Sequence, residues 1–153
     1  MAADVGSKTI LLVEDNRADI RLIQEALKES TVPCEVITVR DGMEAMAYLR
    51  QEEPYQGSIR PDLVLLDLNL PKKDGREVLA EVKTDPALSY IPVVVLTTSR
   101  SEDDIQKSYD LQVNCYISKS RNLAQLFTIV RGIEEFWLKT ATLPPARPSV
   151  ELG

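Results

Sequence analysis

Histidine is absent from all 153 residues. That absence excludes Ser–His and Cys–His nucleophilic catalysis, histidine metal sites and any phosphohistidine carried by the chain itself. Histidine chemistry, if involved, must come from another protein. Cysteine is scarce: Cys34 and Cys115 are the two copies. They form no CxxC or metal-type spacing and sit in apolar, strand-like runs, so both read as core residues of a reducing compartment. No apolar run approaches the roughly 20 residues that span a bilayer. The opening MAADVGSKT lacks the apolar stretch of a signal peptide, so a cytoplasmic location without membrane association is expected. Positive charge is also short, with 18 Lys and Arg against 24 Asp and Glu and a net charge of −6. With no basic cluster, the chain is not expected to bind nucleic acid, because its phosphates require cations gathered on one face.

What is present suits one soluble domain. Apolar residues make up 44% of the chain, enough for a sizeable core at this length. Short apolar runs at 9–13, 35–39, 63–66, 93–96 and 114–117 alternate with helix-like segments at 18–30, 44–50, 76–83, 102–111 and 123–139. This alternation predicts right-handed βαβ units and a doubly wound α/β fold with a five-stranded parallel sheet. The runs ILLV, LVLL and VVVL are continuously apolar, as strands buried on both faces must be. Pro61 and Pro92 precede strands, while Asp41-Gly42 and Asp74-Gly75 open helices. Residues 52–60 read as a surface loop. The expected division is a tail at 1–7, one domain at 8–139 and a Pro-rich tail at 140–153.

Polar residues stand where the runs end. The first closes in Glu14 and Asp15, the third in Asp67, the fourth in Thr97 and the fifth in Lys119. Taken singly, Asp67 is an ordinary turn or cap residue, Lys119 a solvated lysine and Thr97 a good strand former. In strand order 2-1-3-4-5 they all face one crevice at the carboxyl edge, where open α/β sheets bind ligands. Crowded acids repel one another, and a hard divalent cation is the usual remedy. Mg²⁺ fits, with Asp15 and Asp67 as direct ligands, Glu14 acting through water and the Asn69 carbonyl as a further oxygen.

These residues carry a resemblance. LLVEDN (11–16), LVLLDLNLPKKDG (63–75), VVVLTTS (93–99) and CYISKS (115–120) resemble the receiver domains of two-component response regulators. The likeness runs from about Lys8 to Lys139. More narrowly, DLNLPKKDGREVLAEVK and VNCYISKS look like regulators that partner cyanobacterial phytochromes. The resemblance implies a flavodoxin-like receiver fold. It makes Asp67 the phosphoacceptor, Glu14 and Asp15 the Mg²⁺-holding acids, and Thr97 and Lys119 the groups that bind the phosphoryl oxygens. Tyr116 becomes the aromatic switch that follows Thr97. The implied donor is a sensor histidine kinase, expected to be a phytochrome. The resemblance also implies that the chain catalyses its own phosphorylation and dephosphorylation rather than acting as an enzyme on other substrates. Asn69 and Ser99, two residues beyond Asp67 and Thr97, flank the path of a hydrolytic water. One departure stands out: Ser120 replaces the proline that often follows the lysine, which leaves the isomer of the Lys119–Ser120 bond open.

Nothing in the tail resembles a DNA-binding module, so output is expected through protein contacts. On the last helix Leu126, Val130, Ile133 and Trp137 form a core-facing stripe. Phe127, Ile129, Phe136 and Leu138 widen the apolar arc beyond the roughly 100° that a surface helix needs. Phe136 and Trp137 either wrap the helix end or belong to an exposed patch. The favoured reading is a homodimer through helix 4, strand 5 and helix 5, anchored by Phe127, Ile129, Phe136 and Trp137. Asn16, Arg17 and Ile20 form a candidate kinase-docking face. Two alternatives remain. A phosphatase of the haloacid dehalogenase type needs DxDx[TV], which Asp67-Leu68-Asn69-Leu70 lacks. A receiver fold that only binds partners would have no use for the full acid, Thr and Lys set.

Overall fold

The computed structural model describes residues 7–145. The elements are β1 (Lys8–Val13), α1 (Arg17–Lys28), β2 (Cys34–Val39), α2 (Gly42–Leu49), β3 (Leu63–Leu66), α3 (Gly75–Thr84), β4 (Val93–Thr97), α4 (Glu102–Asp110), β5 (Cys115–Ser118) and α5 (Leu123–Ile133). A π-helical segment, Glu134–Thr140, extends α5. The strands form one parallel sheet in the order β2-β1-β3-β4-β5, as expected.

The alternation of side chains along each strand divides the core into two layers. Leu11, Val13, Val64, Leu66, Val93 and Val95 face α2 and α3. Ile10, Leu12, Leu63, Leu65, Val94 and Leu96 face α1 and α5. Central strands with both faces buried explain the unbroken apolar runs in the sequence. The helices start at the carboxyl edge, each with a side-chain cap: Asn16, Asp41, Asp74, Ser101 and Asn122. These caps satisfy orphan amides of the first turns, and they fix the loops that surround the crevice.

The end of α5 corrects the sequence reading. An uninterrupted α-helix over 123–139 would bring Trp137 onto the buried stripe after Ile133. The π turn adds one residue, so the next buried apolar position is Leu138, five residues on. Trp137 is only partly buried, and Phe136 is 54% exposed. Their rings meet edge to face with centroids 5.3 Å apart. Burial of Leu138 contributes roughly 2 kcal/mol, and the same phase shift leaves Trp137 half-buried against the α1/α5 layer and Phe136 exposed.

Leu143 of the Pro-rich segment packs into the α1/α5 layer. Residues 1–6 and 146–153, which hold most of both expected tails, lie outside the described residues. Cys34 and Cys115 are free, partly buried thiols, and burial pushes both up from their ordinary pKa. No helix among the described residues is long and apolar enough to cross a membrane.

Candidate functional site

The sheet ladder continues one residue past the strands and sets the site residues in place. Glu14 N–H donates to the Val39 carbonyl at 3.1 Å, Asp67 N–H to Val13 at 3.0 Å, and Lys119 N–H to Thr97 at 2.6 Å. Backbone register therefore decides where these side chains leave the sheet. Gly75 brings α3 close behind them: a Cβ there would lie 2.2 Å from the Asp67 carbonyl oxygen, so any larger residue would displace the loop.

The centre of the site is the Lys119 ammonium, whose side chain is 3% exposed. Nζ donates to Glu14 Oε1 at 2.8 Å, Asp19 Oδ2 at 2.7 Å and Asp67 Oδ2 at 3.2 Å. Burial alone would depress its pKa, but the bonds from Asp19 and Glu14 outweigh that and hold it above its ordinary value. Glu14 Oε2 accepts the amides of Asp15 and Asn16. The Glu14 carboxyl is nonetheless pushed up to about 7, by burial first and by Asp67 second, against the pull of Lys119. Asp67 is buried, and its Oδ1 accepts the Asn69 amide at 3.1 Å.

The structure thus joins Glu14, Asp67 and Lys119. It adds Asp19, which the sequence reading missed. The available signal was an acid in the first turn of a helix that starts at the carboxyl edge, where the dipole favours negative charge. Asp15 does not join them. Its side chain is 52% exposed and sits 3.9 Å from Arg40 Nη2. Among the described residues, no three acids already converge on one metal-sized point. The donor chemistry still suits a hard cation, since one ammonium faces three carboxylates and a fourth stands at the rim. Asp15 must turn away from Arg40 to become a ligand.

Thr97 is fully buried beside this cluster, and its Oγ1 accepts only a long bond from the Ser99 amide at 3.4 Å. Tyr116 is partly buried and donates its hydroxyl to the Ser99 carbonyl at 3.0 Å. The aromatic ring is therefore already tied to the loop that follows Thr97. Among the described residues the cis peptide is Glu53–Pro54, so Lys119–Ser120 is trans. Asn16 and Arg17 are exposed while Ile20 is partly buried, and the Asn16 side chain is committed to capping α1.

A five-stranded parallel sheet in this order, with acids just after β1 and β3 and a lysine after β5, defines a receiver architecture. The sequence pattern of the response regulator receiver domain matches residues 10–131, and the chain belongs to that family. Among its relatives, response regulator Rcp1 of Synechocystis is 65% identical over 139 residues, covering 91% of this chain and 95% of that protein. The crystal structure of the phosphorylated cyanobacterial phytochrome response regulator RcpA superposes with a TM-score of 0.89 at 76% identity, covering 91% of this chain and 99% of that one. The Mn²⁺-bound form of Rcp1 gives a TM-score of 0.89 at 64% identity, covering 90% and 99%.

A pH dependence follows from the crowding. The folded pKa of Glu14 lies above its ordinary 4.5, so the folded state holds an extra proton between about pH 4.5 and 7. Stability from this group is greatest at the low end of that window and falls as pH rises through it, by roughly 1–3 kcal/mol. With no histidine to titrate in the same range, the melting temperature of metal-free protein should fall from pH 5 to pH 7.5, and millimolar Mg²⁺ should recover the loss. A metal-free melting temperature that rises across this window contradicts the crowding.

Proposed function

We propose that this receiver accepts a phosphoryl group on Asp67 from the phosphohistidine of a sensor kinase, and that the kinase is a phytochrome. The observation that carries the reading is the buried Lys119 ammonium within reach of both Asp67 and Glu14 at the strand ends. The relatedness to Rcp1 and RcpA supports the choice of kinase.

An Asp67 oxygen attacks phosphorus in line while the bond to the donor imidazole nitrogen breaks and the imidazole leaves. Asp67 Oδ1 is oriented by the Asn69 amide. Mg²⁺, when bound, offsets charge developing on the phosphoryl oxygens. Asp15, Asp67 and the Asn69 carbonyl would hold it directly and Glu14 through water. Lys119 shifts part of its bonding from Glu14 and Asp19 to a phosphoryl oxygen. The Thr97 hydroxyl, so weakly engaged at rest, donates to another. The pull on Thr97 reaches Ser99 two residues later, and Tyr116 follows because its hydroxyl holds the Ser99 carbonyl. The result is a shift between two populations of the α4–β5 surface. The chain catalyses both the gain and the loss of its own phosphoryl group and acts on no other substrate.

Output runs through protein contacts in the cytoplasm, without nucleic acid or membrane. The outward face of α5 and its extension joins Ile129, Phe136 and Trp137 to Cys115 and Ile117 of the edge strand β5, with Phe127 half-buried on the same helix. This apolar face is the surface of a homodimer through α4, β5 and α5.

Incubation with acetyl phosphate and Mg²⁺ should add one phosphoryl group to the intact mass of the wild type and none to Asp67→Asn. Labelling of Asp67→Asn, or none in the wild type, would sink the assignment. Phe136→Lys should sediment as a monomer where the wild type sediments as a dimer. A variant that stays dimeric excludes this surface.

A further inference from the structure

Arg76, on the first turn of α3, engages four groups from three separate segments of the chain. Its Nε and Nη2 donate to Asp104 Oδ1 and Oδ2, both at 2.7 Å, in a two-bond fork. Nη1 donates to the Leu68 carbonyl at 3.3 Å and to the Asp74 carboxylate at 3.0 and 3.1 Å. Nη2 reaches Asn69 Oδ1 at 3.5 Å. On the far side, Asp104 Oδ2 also accepts the Ser99 hydroxyl at 2.6 Å. The guanidinium thereby ties the loop after Asp67 to the loop after Thr97. Asp104 is mostly buried, and the Arg76 fork, with Ser99 second, holds its carboxyl down to about 2.

A second observation concerns α4 itself. Of its nine residues, Ser108 alone is buried. Apolar packing therefore gives this helix little anchorage, and its N-terminal turn depends on the polar clamp through Asp104. The clamp touches Asn69 and Ser99, the two residues beyond Asp67 and Thr97, but makes no contact with the Asp67 carboxylate. Its place is one shell away from the reacting atoms.

We infer that Arg76, through its fork with Asp104, is a positioning residue that holds the Asn69 and Ser99 loops over Asp67 and so sets the lifetime of the phosphoryl group. The inference rests on Asp67 being the acceptor. In the hydrolysis at issue, water attacks phosphorus, the bond to the Asp67 oxygen breaks, the Asp67 carboxylate is restored and inorganic phosphate leaves with the proton. The two loops form the walls along which that water must approach. With the clamp closed the approach is narrow. With it open, Ser99 and Asn69 separate and water enters more freely.

The test is a double-mutant cycle on the full chain. Wild type, Arg76→Met, Asp104→Asn and the double variant are labelled with acetyl phosphate and Mg²⁺ and freed of donor. Loss of the phosphoryl group is then followed by intact mass, and urea midpoints are measured beside it. Each single variant should shorten the half-life by about three- to tenfold. The double variant should lose no more than the worse single, because both sever one clamp. Arg76→Lys keeps the charge but not the planar fork, and it should resemble Arg76→Met. Should Arg76→Met fail to fold, Asp104→Asn and Arg76→Lys carry the same comparison. A wild-type half-life in the single variants overturns the inference, as do effects that multiply in the double variant or simply track the urea midpoint. A wild type that takes no phosphoryl group overturns the assignment of Asp67 and this inference with it, whereas labelled wild type with unaltered variants overturns the inference alone.

Discussion

One ammonium surrounded by carboxylates organises this molecule. Lys119 is buried, and it bonds Glu14 from β1, Asp67 from β3 and Asp19 from α1. Removing water from such a group is costly, and losing one partner of a buried ion pair typically costs about 3–5 kcal/mol. The sheet order makes the arrangement possible, because β1 and β3 are neighbours and β5 closes the same edge through β4. The ladder bonds of Glu14, Asp67 and Lys119 leave little freedom in where these side chains emerge. The cluster is also incompletely balanced, since three acids share one cation. That imbalance lifts the Glu14 carboxyl and leaves the site ready for a second cation.

From this cluster the remaining features follow outward. Thr97 lies beside it with a hydroxyl that has only one long bond. Ser99 then branches in two directions, its carbonyl to Tyr116 and its hydroxyl to Asp104. Hydrogen bonds thus connect the loop after Thr97 to β5 through the tyrosine and to α4 through the Arg76–Asp104 fork. Because α4 has so little apolar anchorage, modest changes in polar bonding can move it. The apolar face of α5 adjoins β5.

Much of this was legible in the sequence. ILLV, LVLL and VVVL could only be strands covered on both faces, and the polar residue closing each run marked the carboxyl edge. Glu14, Asp67, Thr97 and Lys119 came directly from that pattern. Asp19 did not, because an acid in a first helical turn is common and its reach to Lys119 depends on how α1 crosses the sheet. Asp15 was expected among the ligands, yet a nearby Arg40 draws it outward, a contact between residues far apart in the chain. The Arg76–Asp104 fork is hidden for the same reason. Trp137, expected on the core stripe, packs against the core only half-buried, because hydrophobic periodicity assumes a constant 3.6-residue turn and a π turn after Ile133 advances the fully buried apolar stripe to Leu138.

On the proposed reading, Lys119 is a resident cation that would compete with Mg²⁺ for Glu14 and Asp67. The direct measurement is the Mg²⁺ affinity of Lys119→Met against wild type, by calorimetry at pH 7.5. Tighter binding in the variant is the result predicted, because the carboxylates lose the Lys119 ammonium. Equal or weaker binding in a folded variant would contradict the claim that this ammonium occupies the place of a metal charge.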